Sequence, residues 1–124
     1  CNLGADSNTS NLKNNYSNLR IYDYKTQQLE QTDVQFCGVI MGDHTKTGIN
    51  TMLNTGTVVG VNANIFDAGF PPKFIPSFSW GGMNNDQSYK LEKAIEVAQV
   101  VCARRGVEFS EIDTAILRHI HPNH

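Results

Sequence analysis

From Met41 to Phe70 the chain divides into five sixes, MGDHTK, TGINTM, LNTGTV, VGVNAN and IFDAGF. First places are Met41, Thr47, Leu53, Val59 and Ile65; fifth places are Thr45, Thr51, Thr57, Ala63 and Gly69, all small. The stretch has neither the apolar stripe of an amphipathic helix nor the plain alternation of a half-buried strand. A period of six is the signature of β-helix solenoids. Short strands then meet at sharp corners that need residues tolerating positive φ, which Gly and Asn do most cheaply. Such residues fill second places (Gly42, Gly48, Asn54, Gly60) and fourth places (Asn50, Gly56, Asn62). The first-place side chain is expected to fill a narrow interior with the fifth-place residue turned inward beside it, and stacked coils bury a continuous core. The class expected is therefore all-β, a parallel β-helix of hexapeptide repeats with a C-terminal helical cap.

The flanks complete the plan. LGADSN, from Leu3, fits one more hexad, after which the frame blurs through a polar segment rich in Asn, Gln and Tyr. This reads as a loop inserted at about residues 9–34 of a β-helix spanning 1–70, and solenoids often carry such insertions on the binding face. Residues 71–84 hold prolines among Phe74, Ile75, Phe78 and Trp80 and read as an extended segment without regular strand. Residues 85–124 read as helices. In the first, Asp86 or Ser88 is a candidate cap, Leu91, Ile95, Ala98 and Cys102 form a stripe, Arg104 and Arg105 suit the C-terminal end of the dipole, and Gly106 suits the C′ position. In the second, Ser110 and Asp113 resemble a capping box, Ile112, Ile116 and Ile120 make the stripe, and Pro122 ends it.

Charge and cysteine usage narrow the function. A net charge of -2 argues against a nucleic-acid partner, which requires a basic surface. No apolar run approaches the roughly 20 residues needed to span a bilayer, so no membrane partner is expected. Cys1, Cys37 and Cys102 form neither a disulfide framework nor a CxxC pair, which suits reduced thiols in the cytoplasm. The opening Cys1-Asn2-Leu3-Gly4, without an initiating Met, reads as the start of the C-terminal part of a longer chain.

Candidate chemistry is sparse. His44 sits at a hexad corner with its ring expected to face outward, where it is either a general base near neutral pH or idle. Lys46 and Lys73 either meet a phosphate or simply solvate the surface. His119, His121 and His124 cluster at the end, but no Cys or carboxylate partner has ligand spacing; a frayed terminus is the plainer reading and no metal is expected. There is no phosphate-cradling Gly-rich loop, Gly-x-Ser-x-Gly elbow or paired-carboxylate signal.

The hexads resemble those of bacterial hexapeptide-repeat acyltransferases. Leu3-Gly4-Ala5, Asn11, Met41-Gly42-Asp43 and Thr47-Gly48-Ile49 are similar in order to the C-terminal domain of the bifunctional N-acetylglucosamine-1-phosphate uridyltransferase/acetyltransferase family. NTGTVVG, PPKFIPSFSWGG and ARRGVE resemble a bacterial subfamily of sugar nucleotidyltransferases more closely still. The resemblance implies a left-handed parallel β-helix and a homotrimer, with acetyl-CoA as cosubstrate in the groove between subunits and a sugar phosphate as acceptor. It carries over Asn11 as a residue near the acceptor and acetyl-CoA site, although Leu12 stands where the family has a tyrosine. The family's catalytic histidine would lie upstream of this chain.

The expected function is thus that of the C-terminal domain of a sugar-phosphate nucleotidyltransferase/acyltransferase, transferring an acetyl group from acetyl-CoA to a sugar phosphate. Asn11, His44, Lys46 and Lys73 are the candidate substrate and CoA contacts. The alternative is a non-catalytic trimerising scaffold for an upstream sugar nucleotidyltransferase domain.

Overall fold

The computed structural model describes residues 1–84 and 87–122. Its strands are β1 (Asn2–Leu3), β2 (Asn8–Thr9), β3 (Arg20–Asp23), β4 (Gln28–Gln31), β5 (Ile40–Met41), β6 (Lys46–Thr47), β7 (Met52–Leu53), β8 (Val58–Val59), β9 (Asn64–Ile65), β10 (Phe74–Ile75) and β11 (Trp80–Gly81). The helices are α1 (Leu91–Arg104) and α2 (Glu111–Ile120).

Two-residue strands gain nothing alone, so each is held by ladders to strands remote in sequence. Lys46 pairs with Asn64 and Thr47 with Ile65, three hexads on, and Ile40 and Met41 pair with Val58 and Val59 at the same spacing. The order β1-β6-β9-β11 makes a four-stranded parallel sheet, β10-β8-β5 a three-stranded one and β2-β7 a pair, while β3-β4 is an antiparallel hairpin.

This arrangement corrects the expected class. The chain is not all-β and forms no continuous left-handed β-helix. It has many short strands in several small sheets, parallel and antiparallel, with two helices. Two physical causes act. The insertion pairs with itself across four residue pairs, Arg20↔Gln31 to Asp23↔Gln28, and so separates β2 from β5. The helices are also more than a lid, because they build a second core in which Phe78, Tyr89, Ala94, Ile95 and Leu117 are buried together.

The hexads govern backbone and burial locally. Left-handed φ falls at fourth places, Asp6, His44, Asn50, Gly56, Asn62 and, in the proline-rich segment, Phe78. Second-place glycines are not left-handed; they answer to crowding instead, since a Cβ on Gly42 would lie 2.7 Å from the Gly60 carbonyl oxygen. Leu53, Val59 and Ile65 form the first core with Ala63 and Ile75. Fifth-place Thr45, Thr51 and Thr57 are buried, and their hydroxyls donate to the carbonyls of Gly60 (2.7 Å), Gly48 (2.9 Å) and Asn54 (2.8 Å). Threonine suits that place because it fills the interior and satisfies a corner carbonyl that water cannot reach.

Three local expectations also change. The proline-rich segment contains β10 and β11, because the sheet asks it for acceptors more than donors: Val58 N–H donates to Lys73 O and Gly60 N–H to Ile75 O, both at 2.8 Å. Helix α1 starts at Leu91 with Lys90 as N-cap and no side-chain cap bond, so Ser88 does not cap it; Asp86 lies outside the described residues. Helix α2 has its expected capping box from Ser110 and Asp113, but Ile112 and Ile116 are exposed and Leu117 is the buried anchor. The inward face is set by the wall of Phe78 and Tyr89, not by the most apolar stripe.

Candidate functional site

The hexad places Thr47 and Ile65 inward and their predecessors outward. Along the four-stranded sheet the outward column runs Asn2, Lys46, Asn64, Trp80, each paired to the next. Helix α1 runs beside this column, its residues sharing hollows with Asn2, Lys46 and Trp80. Its last turns then bring Val101, Arg104 and Arg105 opposite Asn2, His44 and Lys46, around a cleft of about 460 Å³.

His44 occupies a left-handed corner with φ 63°. Its ring is half-buried rather than freely outward, and meets Phe109 edge-on at 6.1 Å between centroids. Burial lowers its pKa below the ordinary 6.5 and Lys46 lowers it further, while Asp43 and Asp113 oppose both. The imidazole therefore leans neutral near pH 7, the state in which it accepts a proton. It also borders a smaller hollow of about 130 Å³ with Asp43, Phe109 and Asp113, so carboxylates lie on one side and cations on the other. Lys46 is half-buried, its pKa lowered by burial, and its ammonium donates to the His44 carbonyl oxygen at 3.1 Å. Among the described residues, Lys46, Arg104 and Arg105 have no carboxylate partner. Three cations lining one cleft, none in a carboxylate ion pair, suit an anion, and arginine guanidinium groups can grip phosphate oxygens bidentately.

The other two candidates do not line this cleft. Lys73 donates to the Arg20 carbonyl oxygen at 3.1 Å and so ties the hairpin to the proline-rich segment. Its pKa is lowered by burial first, then by Lys13 and Arg20. Beside it Tyr22 stacks on Phe74 with 3.5 Å between ring centroids, which makes Lys73 a strut of the hairpin. Asn11 is exposed, and its carbonyl oxygen accepts from Cys37 N–H at 3.1 Å, closing the base of the insertion. His121 is not frayed: it is buried, 3.0 Å from the Tyr89 carbonyl oxygen and 4.7 Å from the Phe78 ring centroid; His124 lies outside the described residues.

Arg104 and Arg105 are the residues that sequence reasoning passed over, having assigned them to the helix dipole. The available signal was their place one helical turn beyond Val101, itself one turn beyond Val97, on the flank that lines the two hollows. No protein-family model, curated protein or solved structure matches the chain. No helix among the described residues is long and apolar enough to cross a membrane.

Proposed function

We propose that the chain is part of a sugar-phosphate nucleotidyltransferase/acyltransferase and that the His44 cleft transfers an acetyl group from acetyl-CoA to a sugar phosphate. The observation that carries this reading is the half-buried, neutral-leaning imidazole beside Lys46, Arg104 and Arg105. The cations hold phosphate and fix the acceptor. In place of the upstream histidine that the resemblance implies, His44 takes the proton from the acceptor's amino or hydroxyl group as that group attacks the thioester carbonyl. The carbon–sulfur bond breaks, CoA leaves as thiolate, and the imidazolium returns the proton to it. Fixing both reactants in one cleft supplies the entropic part of the rate gain. The setting is the cytoplasm, where acetyl-CoA and sugar phosphates meet.

The test is release of free CoA thiol from acetyl-CoA with amino- and hydroxyl-sugar phosphates as acceptors. Acceptor-dependent release that falls by about a hundredfold or more in His44→Gln supports the reading, the range expected on losing a general base. Release unchanged in His44→Gln contradicts it.

A second reading, a trimerising scaffold for a nucleotidyltransferase domain, is favoured by the exposed apolar edge. Ile49 is 78% exposed, and Phe66 and Trp80 meet edge-on at 5.2 Å on the surface. Such a patch marks an interaction surface. A homotrimer by sedimentation that Ile49→Glu dissociates, with no acyl transfer, would support this second reading over the first.

A further inference from the structure

A second hollow lies further along the same flank of sheet and helix as the cationic cleft. Trp80, Tyr89, Lys90, Lys93 and Val97 bound this second hollow, of about 440 Å³. The strand register joins the two, since Lys46 pairs with Asn64 and Asn64 with Trp80 on the same outward column. On the facing wall Val97 and Val101 are one helical turn apart. Two strand spacings separate Lys46 from Trp80, about 10 Å. That is the reach from a nucleobase to the second phosphate of a nucleoside diphosphate.

The two ends differ in chemistry. At the aromatic end Trp80 is 39% exposed, with the Tyr89 ring 5.1 Å and the Phe66 ring 5.2 Å away between centroids. Lys93 is paired there with Glu96 at 3.5 Å and Lys90 borders the same end, whereas Lys46, Arg104 and Arg105 line the other. Aromatic surface accepts any base by stacking, and clustered arginines recognise phosphate.

We infer that these two hollows, between the β1-β6-β9-β11 face and α1, form one binding groove for a nucleoside diphosphate, with the base against Trp80 and the phosphates among Lys46, Arg104 and Arg105. The inference shares the cationic end with the acyl-transfer reading, but goes beyond it in naming the ligand's other half and its direction. A nucleoside diphosphate occurs both in CoA and in nucleotide sugars, and the groove chemistry is common to the two.

Trp80 is the only tryptophan, so its fluorescence reports on the groove alone. The experiment titrates the chain with ADP, UDP, inorganic pyrophosphate, CoA and a UDP-sugar. ADP and UDP are expected to quench Trp80 saturably, while pyrophosphate competes with them and quenches little. Arg104→Ala with Arg105→Ala is expected to raise the ADP dissociation constant about tenfold or more, as loss of charge-assisted bonds predicts. Trp80→Leu, followed by calorimetry, is expected to keep pyrophosphate binding and weaken ADP. Stronger quenching by CoA than by the UDP-sugar assigns the diphosphate to CoA, and the reverse assigns it to a nucleotide sugar. Absence of quenching up to millimolar ADP overturns the inference, as does ADP affinity unchanged in the double arginine variant. Quenching by ADP without acetyl transfer supports the groove and removes the acyl-transfer reading. Acetyl transfer that survives Trp80→Leu with unchanged KM for acetyl-CoA, without ADP quenching, does the opposite.

Discussion

Gly42 and Gly60 follow the paired strand residues Met41 and Val59 with no room between them for a side chain: a Cβ on Gly42 would come within 2.7 Å of the Gly60 carbonyl oxygen and 2.8 Å of its carbonyl carbon. The obstacle is backbone, which cannot swing aside. Gly42→Ala is expected to lower stability by about 1–3 kcal/mol, the usual range for overpacking. At Gly48 the corresponding atom meets Phe66 Cβ at 3.3 Å, an overlap that a shift of the chain by a few tenths of an ångström relieves, and φ there is not left-handed. Gly48→Ala is therefore expected to lower stability much less than Gly42→Ala. Paired urea melts check the ordering, and equal losses would show that crowding is not what selects these glycines.

Asn50 isolates the corner itself, because it is exposed and holds φ 57°. Asn50→Ala is expected to cost about 1–2 kcal/mol through the left-handed backbone. Asn50→Gly is expected to be neutral or slightly stabilising. A neutral Asn50→Ala in thermal denaturation would contradict a left-handed corner at this fourth place.

Leu53 is 1% exposed at the centre of the first core. Leu53→Ala is expected to cost about 2–5 kcal/mol, as truncations of buried leucine do. A loss below about 0.5 kcal/mol in urea unfolding would put Leu53 at the surface.

His44 couples stability to pH. Its folded pKa lies below 6.5, chiefly through burial and then Lys46, so between the two values the unfolded chain binds more protons. The contribution is fully present above 6.5 and is lost as pH falls through the folded value. The acid-side slope of stability against pH, measured from just above 6.5 downward, should be shallower in His44→Gln than in the parent. An unchanged slope would mean that His44 is not desolvated.

The local rules of the fold were legible in the sequence, and the assembly was not. The six-residue period marked Leu53, Val59 and Ile65 as core and Thr45, Thr51 and Thr57 as inward, because each is decided within one hexad. It did not foresee that the insertion would pair with itself as a hairpin, or that prolines 71, 72 and 76 would leave two strands between and beyond them. Both depend on partners far along the chain, as when Phe74 finds Val58 and Tyr22. The site divides in the same way. His44 and Lys46 come from one hexad and were visible together. Arg104 and Arg105 reach them only because α1 runs along the sheet, whereas Lys73 and Asn11 are drawn off to the hairpin and its base.

The most direct test of the proposed function is titration of the purified protein with acetyl-CoA while following its thermal midpoint, in parallel with the Arg104→Ala variant. The account predicts a saturable rise that grows as ligand exceeds its dissociation constant, and a smaller rise at each concentration in the variant. A midpoint that stays flat up to millimolar acetyl-CoA, or rises equally in both proteins, would contradict it.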